Sequence, residues 1–541
     1  MENYKRPQLR RNSYMLLDGK WQLNDTRVDV PYPPQTALSD RLLYKHTFTI
    51  PNTFNRPRFI LHFGAVDQLA KVYLNGEYLG SHKGGYLPFS FDVSHCIKLN
   101  EANILEVEAQ DTLSEIYPYG KQSKKRGGMW YTPISGIWQS VWLENVSNDY
   151  IKDLRITPDT KGINLELVTD ASDYTVHISL PNGDTRTLHF TDKCVRIDFD
   201  EEDIINWCPD NPYLYDMKIE TANDCIDSYF ALREVKILNL NGINRVCLNG
   251  KPIFMHGVLD QGYFSDGIYL PKEDKEYERD ILRMKELGIN TLRKHIKIEP
   301  DIFYYYCDKH GMLVVQDMVN SGKYSFFFDT ALPTIGFKRI NDTKRFPKDS
   351  VRKAFFEQHM LDTIKQLHNH PCIIVYTIFN EGWGQFDSDS MYALAKNADP
   401  TRLYDSTSGW FARKHSDFDS EHIYFRTKKL KPKKRPLFLS EFGGFTYRVK
   451  EHCFNPTKTY GYGACKDSQS LTNRIVETYK KMVIPAIKDG LCGCIYTQLS
   501  DVEDEINGLY TYDRKVCKVD KNAMQSLAKD IYKNQYISFT N

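Results

Sequence analysis

Ile373-Ile374-Val375-Tyr376-Thr377-Ile378-Phe379-Asn380-Glu381-Gly382-Trp383 and Pro436-Leu437-Phe438-Leu439-Ser440-Glu441-Phe442-Gly443-Gly444 are two apolar runs that each close on a glutamate. Their length and their branched and aromatic content fit strands buried on both faces, as in a parallel sheet. A carboxylate at the end of such a strand is out of place for packing, because an unpaired buried charge costs roughly several kcal/mol. Two strand ends of this kind suggest a catalytic pair. Opposed carboxylates in one pocket are the equipment of glycoside hydrolysis, one protonating the leaving oxygen and the other attacking the anomeric carbon.

Outward from these runs, the chain from about Asn239 alternates strand and helix. Strands are predicted from Ile253 to Val258, Thr291 to His295, Leu313 to Asp317, Ile373 to Asn380, Thr401 to Ser406, His422 to Phe425, Leu437 to Glu441 and Cys492 to Gln498. Amphipathic helical periodicity is clearest from Lys275 to Leu287, Pro300 to His310, Ser350 to His368 and Ser388 to Ala398. Eight strands with intervening helices predict a (β/α)8 barrel over residues 239–541, with its active site at the carboxyl ends of the strands. Glu381 then ends strand four and Glu441 ends strand seven. Asp260 follows strand one, Asp317 ends strand three, and Trp383 and Trp410 follow strands four and five. Each aspartate is either a sugar ligand or a local polar contact, and each indole either a stacking platform or packing.

Residues 1–145 alternate apolar and polar in short runs such as Leu43 to Ile50, Arg58 to Phe63 and Lys71 to Leu74. The last precedes Asn75-Gly76, a strong hairpin signal, and the region reads as a β-sandwich. A smaller β segment over residues 146–238 includes Ile163 to Val168 and Thr175 to Leu180, a size match for an immunoglobulin-like sandwich.

Lys and Arg, 71 together, nearly cancel the 70 Asp and Glu, which gives no argument for a nucleic-acid or anionic-membrane partner. Met1-Glu2-Asn3-Tyr4-Lys5-Arg6-Pro7 lacks the apolar core of a secretory signal, and no run has the length to cross a bilayer. A cytoplasmic location is expected. The 12 cysteines show no repeated metal-ligand spacing, which fits reduced thiols.

Ser135-Gly136-Ile137-Trp138-Gln139-Ser140-Val141-Trp142-Leu143-Glu144, Asn249-Gly250-Lys251-Pro252-Ile253, Asn380-Glu381 and Ser440-Glu441-Phe442-Gly443, in this order and spacing, carry a family resemblance. The chain resembles glycoside hydrolase family 2, which includes β-galactosidases, β-glucuronidases and β-mannosidases. The resemblance spans nearly the whole chain and implies a jelly-roll sugar-binding-like domain, an immunoglobulin-like sandwich and a barrel, in that order. It implies that Glu381 is the general acid/base and Glu441 the nucleophile of retaining hydrolysis, with Asn380 on the sugar 2-hydroxyl. Tyr424 stands where the family has a tyrosine beside the nucleophile. Arg293 and His295 resemble its Arg and His after strand two, in a motif one residue shorter than usual.

Departures from the family pattern bear on the substrate. Glucuronidases of this family clamp the uronate with an Asn-x-Lys motif after strand eight. Aligned on Thr511-Tyr512-Asp513-Arg514, the corresponding positions hold Glu505 and Asn507, without the positive charge. A β-galactoside is therefore expected first, with a β-glucoside, β-mannoside, arabinopyranoside or β-glucuronide as alternatives. Large β-galactosidases bind magnesium through a Glu and a His after strand three. Here the region reads Gln316-Asp317-Met318-Val319-Asn320, so no required metal or other cofactor is expected. The expected partner is a carbohydrate or glycoside, with homo-oligomerisation left open. After strand eight the chain has room for the last barrel helix, so barrel loops and the first domain are expected to set substrate fit. In that domain, Arg126 to Trp130 is either a loop reaching the site or domain packing. The rival of another class is a non-catalytic carbohydrate-binding protein on the same fold.

Overall fold

Two antiparallel sheets face each other in the first part of the chain; the computed structural model describes residues 4–31, 41–337, 340–424, 426–431 and 433–540. The six-stranded sheet runs in the order Thr26–Val30, Gly19–Leu23, Leu42–Thr49, Ala102–Gln110, Leu69–Leu74, Glu77–Lys83. The four-stranded sheet runs in the order Tyr14–Leu16, Val141–Val146, Arg58–Phe63, Phe89–Asp92. Alternation explains the sandwich: Leu42, Tyr44 and Phe48 point inward while Leu43, Lys45 and Thr47 or Thr49 face outward or lie at the margin. The hairpin at Asn75-Gly76 forms as expected, both residues taking the positive φ (54° and 85°) that its tight turn requires.

A second sandwich follows, with three strands facing four. Seven strands are the count of the smaller immunoglobulin-like sandwiches. The hairpin Val235–Leu240 and Ile243–Leu248 then leads into the barrel.

The barrel strands are β1 (Met255–Asp260), β2 (Thr291–Lys294), β3 (Leu313–Asp317), β4 (Ile373–Asn380), β5 (Leu403–Ser408), β6 (Asp419–Ile423), β7 (Leu437–Gly443) and β8 (Leu491–Thr497). They form one parallel sheet in the order β5-β4-β3-β2-β1-β8-β7-β6. The gap between β5 and β6 is bridged without a ladder, by the Asp417 amide on the Tyr404 carbonyl (2.9 Å) and the Ser420 hydroxyl on Asp405. Helices α1 (Lys275–Glu286), α2 (Asp301–His310), α3 (Ser350–Leu367), α4 (Ser388–Ala398) and α5 (Ser468–Thr478) intervene, and α6 (Lys521–Thr540) closes the chain. No helix among the described residues is long and apolar enough to cross a membrane.

The starts of strands one, five and six differ most from expectation. Strand one begins at Met255 because the Ile253 amide bonds Val246 (3.0 Å) in the preceding hairpin. Strand five begins at Leu403 because the Thr401 amide and hydroxyl both bind the Asp399 carboxylate, at 2.9 and 2.6 Å. Strand six is Asp419–Ile423, so its first half is polar; Phe425 lies outside the described residues.

The two sandwiches are joined by a buried charge cluster. Arg11 donates to Glu144 on the first sandwich and to Asp224 on the second, 2.9 Å each, with all three side chains at most 1% exposed. Removing one partner of such a cluster strands the others. Arg11→Ala is predicted to destabilise the protein by roughly 3–5 kcal/mol, read as a lower urea midpoint, while Arg11→Lys recovers part of the loss.

Candidate active site

Arg293, on β2, occupies the centre of the barrel mouth with no exposed surface. Its Nε donates to both Asp317 oxygens on β3 (3.0 and 3.1 Å), and its Nη2 to Asn380 Oδ1 on β4 (2.8 Å). Its Nη1 donates to Glu441 Oε1 on β7 (3.0 Å) and to the Ser440 carbonyl (2.9 Å). Burial opposes the guanidinium charge, but Asp317 and Glu441 outweigh it and hold the group fully protonated.

Glu441 receives a second donor, the Tyr424 phenol, on Oε2 at 2.5 Å. Burial alone raises its carboxyl, but the pull of His422 and Arg293 prevails and brings it to about 2. Glu441 is therefore an anion at any physiological pH. Tyr424, pushed well above the usual phenol range by burial and by Glu441, stays a hydrogen-bond donor.

Glu381 follows β4 directly and takes a left-handed conformation, φ 54°, which a non-glycine residue adopts only when its surroundings enforce it. The enforcing bonds are its amide on the Ser408 carbonyl (3.0 Å) and its carbonyl accepting from Trp410 Nε1 (2.9 Å). Its side chain turns into the mouth, where Oε1 lies 2.7 Å from His422 Nδ1. The same Nδ1 is 3.6 Å from Glu441 Oε2, and oxygens of the two glutamates lie within 4.8 Å of each other. Glu381, His422 and Glu441 are close enough to share one cation as well.

A segment of the first sandwich crosses this mouth. The Tyr119 amide bonds the Asn320 carbonyl (3.0 Å) after β3, the Tyr131 phenol donates to Glu505 after β8, and the Thr132 amide binds Glu503 (2.9 Å). Between them, the Lys121 ammonium lies over the Tyr131 ring, 5.9 Å from its centroid. It forms no ion pair among the described residues, and its charge contributes to the lowering of Glu441 and of His295.

A family model described as "Glycosyl hydrolases family 2, TIM barrel domain" matches residues 239–442, and a second, "Glycosyl hydrolase 2 galactose-binding domain-like", matches residues 34–163. The chain belongs to glycoside hydrolase family 2. Relatives of the chain include β-galactosidases and β-glucuronidases. A β-galactosidase of Thermoanaerobacter pseudethanolicus is 25% identical over 77% of this chain and 54% of its own length. A β-glucuronidase of Bacteroides fragilis is 24% identical over 73% of this chain and 61% of its own length. The chain spans about half the length of the first of these relatives. The structure of an uncultured Clostridium β-glucuronidase shares the fold with a TM-score of 0.74, at 18% identity, over 97% of this chain and 99% of that one.

Of the residues singled out in sequence, Glu381, Glu441, Asn380, Tyr424, Arg293, His295 and Asp317 meet at this family 2 mouth. His295, kept neutral by burial and by Lys121, contacts Asp317 through Nδ1 (2.6 Å), so Asp317 is held by two barrel residues. Asp260 is buried against Lys294 Nζ (2.6 Å) and the Gly262 amide (2.9 Å), which leaves it little capacity for a sugar. Trp383 and Trp410 are only 4% and 8% exposed, and their Nε1 atoms bond backbone carbonyls. They support the mouth and do not present open faces. His422 begins the predicted strand six but was not singled out as a site residue. The one available clue was its place two residues before Tyr424.

Arg293→Met leaves Asp317, Glu441 and Asn380 without their shared donor, and is predicted to destabilise the protein by roughly 3–5 kcal/mol. The pH dependence has a definite sign. Glu441 titrates at about 2 against an ordinary 4.5, so the stability it supplies is full above the ordinary value and is lost as pH falls toward about 2. In Arg293→Met the lowered value rises, and acid unfolding followed by circular dichroism moves to higher pH.

Proposed function

We propose that the protein is a retaining exo-β-glycosidase that hydrolyses a terminal β-linked sugar by double displacement. The observation that carries this is the approach of the Glu381 and Glu441 oxygens to within 4.8 Å. Carboxyl groups about 5–5.5 Å apart suit a covalent intermediate, whereas inverting enzymes need about 6.5–9.5 Å to admit a water. Glu441, ionised and held by Arg293 and Tyr424, attacks the anomeric carbon as Glu381 gives its proton to the leaving oxygen. Glu381 then takes a proton from water, which displaces Glu441 from the glycosyl ester. Asn380, with Oδ1 fixed by Arg293, keeps its amide nitrogen for the sugar 2-hydroxyl. His422 holds the Glu381 carboxyl in place. This arrangement argues against a purely sugar-binding role, for which paired carboxylates and a buried arginine would serve no purpose.

For the sugar, the β-galactoside reading is supported by position 507. Asn507 supplies no charge, and its amide is engaged at both ends, by Gln498 (2.8 Å) and Glu505 (2.9 Å). A second reading, a β-glucuronide, is favoured by one observation: Lys121, which forms no ion pair among the described residues, brings a cation to the same corner. A panel of aryl β-galactoside, glucoside, mannoside, glucuronide and arabinopyranoside decides between them. Preference for the galactoside supports the first reading. A glucuronide preference that Lys121→Met removes supports the second.

Glu381→Gln is predicted to lower kcat/KM by about 10²–10⁴-fold on substrates with poor leaving groups and far less on dinitrophenyl glycosides. His422→Ala follows the same pattern with a fall of roughly 10²-fold, since it misplaces the acid without removing it. Proton NMR of the first-formed sugar should show the β anomer; an α anomer would refute the mechanism.

A further inference from the structure

Beyond the two carboxylates, an aromatic lining continues outward, from Tyr424 beside Glu441 round to Trp383 beside Glu381. Glu381 is the more open of the pair, its side chain 16% exposed against 6% for Glu441. Tyr462 stacks on Tyr424 at 4.1 Å and meets the Tyr460 hydroxyl at 3.4 Å. Tyr460 is fixed by its amide on the Asp504 carbonyl (2.7 Å), and its ring lies 3.3 Å from where a Cβ on Gly128 would stand. Any larger residue at 128 would crowd that ring. Two residues later comes Trp130, on a tight turn closed by the Gly127 amide bonding the Trp130 carbonyl at 2.7 Å.

Trp130 contacts Trp383 and Tyr324 edge-on, each at 5.0 Å between centroids and at 77° and 66°. Both Trp130 and Tyr324 remain partly exposed, while Trp383 beneath them is buried. Tyr324, Tyr460 and Tyr462 all lie near enough to feel the charge of Glu381. In the reaction proposed above, the leaving group is held on the side of the acid, where Trp130 and Tyr324 rest on Trp383, two residues beyond Glu381, and Tyr460 closes the wall across Gly128.

We propose that Trp130, Tyr324 and Tyr460 form the subsite for the leaving group, and that it takes a second sugar ring. The inference rests on the retaining-glycosidase reading. A pyranose offers an apolar face for an indole and hydroxyls around its edge, and this wall pairs ring faces with the phenol groups of Tyr460 and Tyr462. The first sandwich thereby supplies a substrate-binding residue to the barrel, and the enzyme acts on the non-reducing end of a saccharide.

The test compares leaving groups of one sugar, the one turned over fastest in the panel. A β-glycosyl fluoride has no ring to occupy the subsite; the β-linked disaccharide and the nitrophenyl glycoside each have one. In Trp130→Ala, the ratio of kcat/KM on the disaccharide to kcat/KM on the fluoride should fall roughly 10- to 100-fold, the effect of losing one buried aromatic contact. Trp130→Phe should recover much of that ratio. Equal losses on disaccharide and fluoride would mean that Trp130 only supports the fold, and would overturn the proposal. So would an unchanged ratio, or a loss confined to the nitrophenyl glycoside, which would mark an aromatic leaving group. Failure of the wild-type protein to hydrolyse any fluoride would instead refute the glycosidase reading itself.

Discussion

The buried guanidinium of Arg293 is the constraint around which the barrel mouth is built. Its bonds run to β3, β4 and β7, so one side chain fixes the relative positions of three strand ends. A lysine offers a single point charge and could not satisfy Asp317, Asn380 and Glu441 in three directions; the planar fork can. The low dielectric that makes such a charge expensive alone also strengthens each of its bonds. Glu441 is an anion in a buried site because His422 and Arg293 hold its carboxyl low, and the Tyr424 phenol donates to the anion so formed.

Glu381 is held by different means. It lies past the end of β4 in a left-handed backbone conformation, fixed by the chain of β5 and by the Trp410 indole, and its carboxyl leans on His422. The pair is therefore asymmetric: one carboxylate is locked among permanent donors, the other sits at the open edge with one imidazole beside it. An acid/base has to change its protonation state within each turnover, and a nucleophile does not. The difference in surroundings is the one that the proposed mechanism requires.

Much of this was legible in the sequence. Alternation of strands and helices gives the barrel, and the glutamates stand out because a carboxylate has no packing reason to end an apolar run. Features that escaped are of two kinds. Polar residues Asp419 to Glu421 hid the start of β6, since hydrophobic periodicity registers only apolar residues, and nothing in the sequence marked His422 as more than the first residue of that strand. In the crossing segment, the sequence left Arg126 to Trp130 open between a loop reaching the site and domain packing, and Lys121 and Tyr131 escaped because the segment's partners, Glu503 and Glu505, lie hundreds of residues away in the chain. Asp260 is a position where the sequence leaves two readings open. Its position after strand one suits a sugar ligand, but Lys294 is aimed at it from the next strand, a pairing that only the folded barrel brings about.

Mass spectrometry of the protein inactivated by an activated 2-deoxy-2-fluoro-β-glycoside of its preferred sugar addresses the central claim most directly. Fluorine at C2 destabilises both oxocarbenium-like transition states while the good leaving group still permits the first, so the glycosyl ester accumulates. The account predicts one added glycosyl unit per chain, carried by the peptide that contains Glu441. A label on any other carboxylate, or steady turnover with inversion and no adduct, would contradict it.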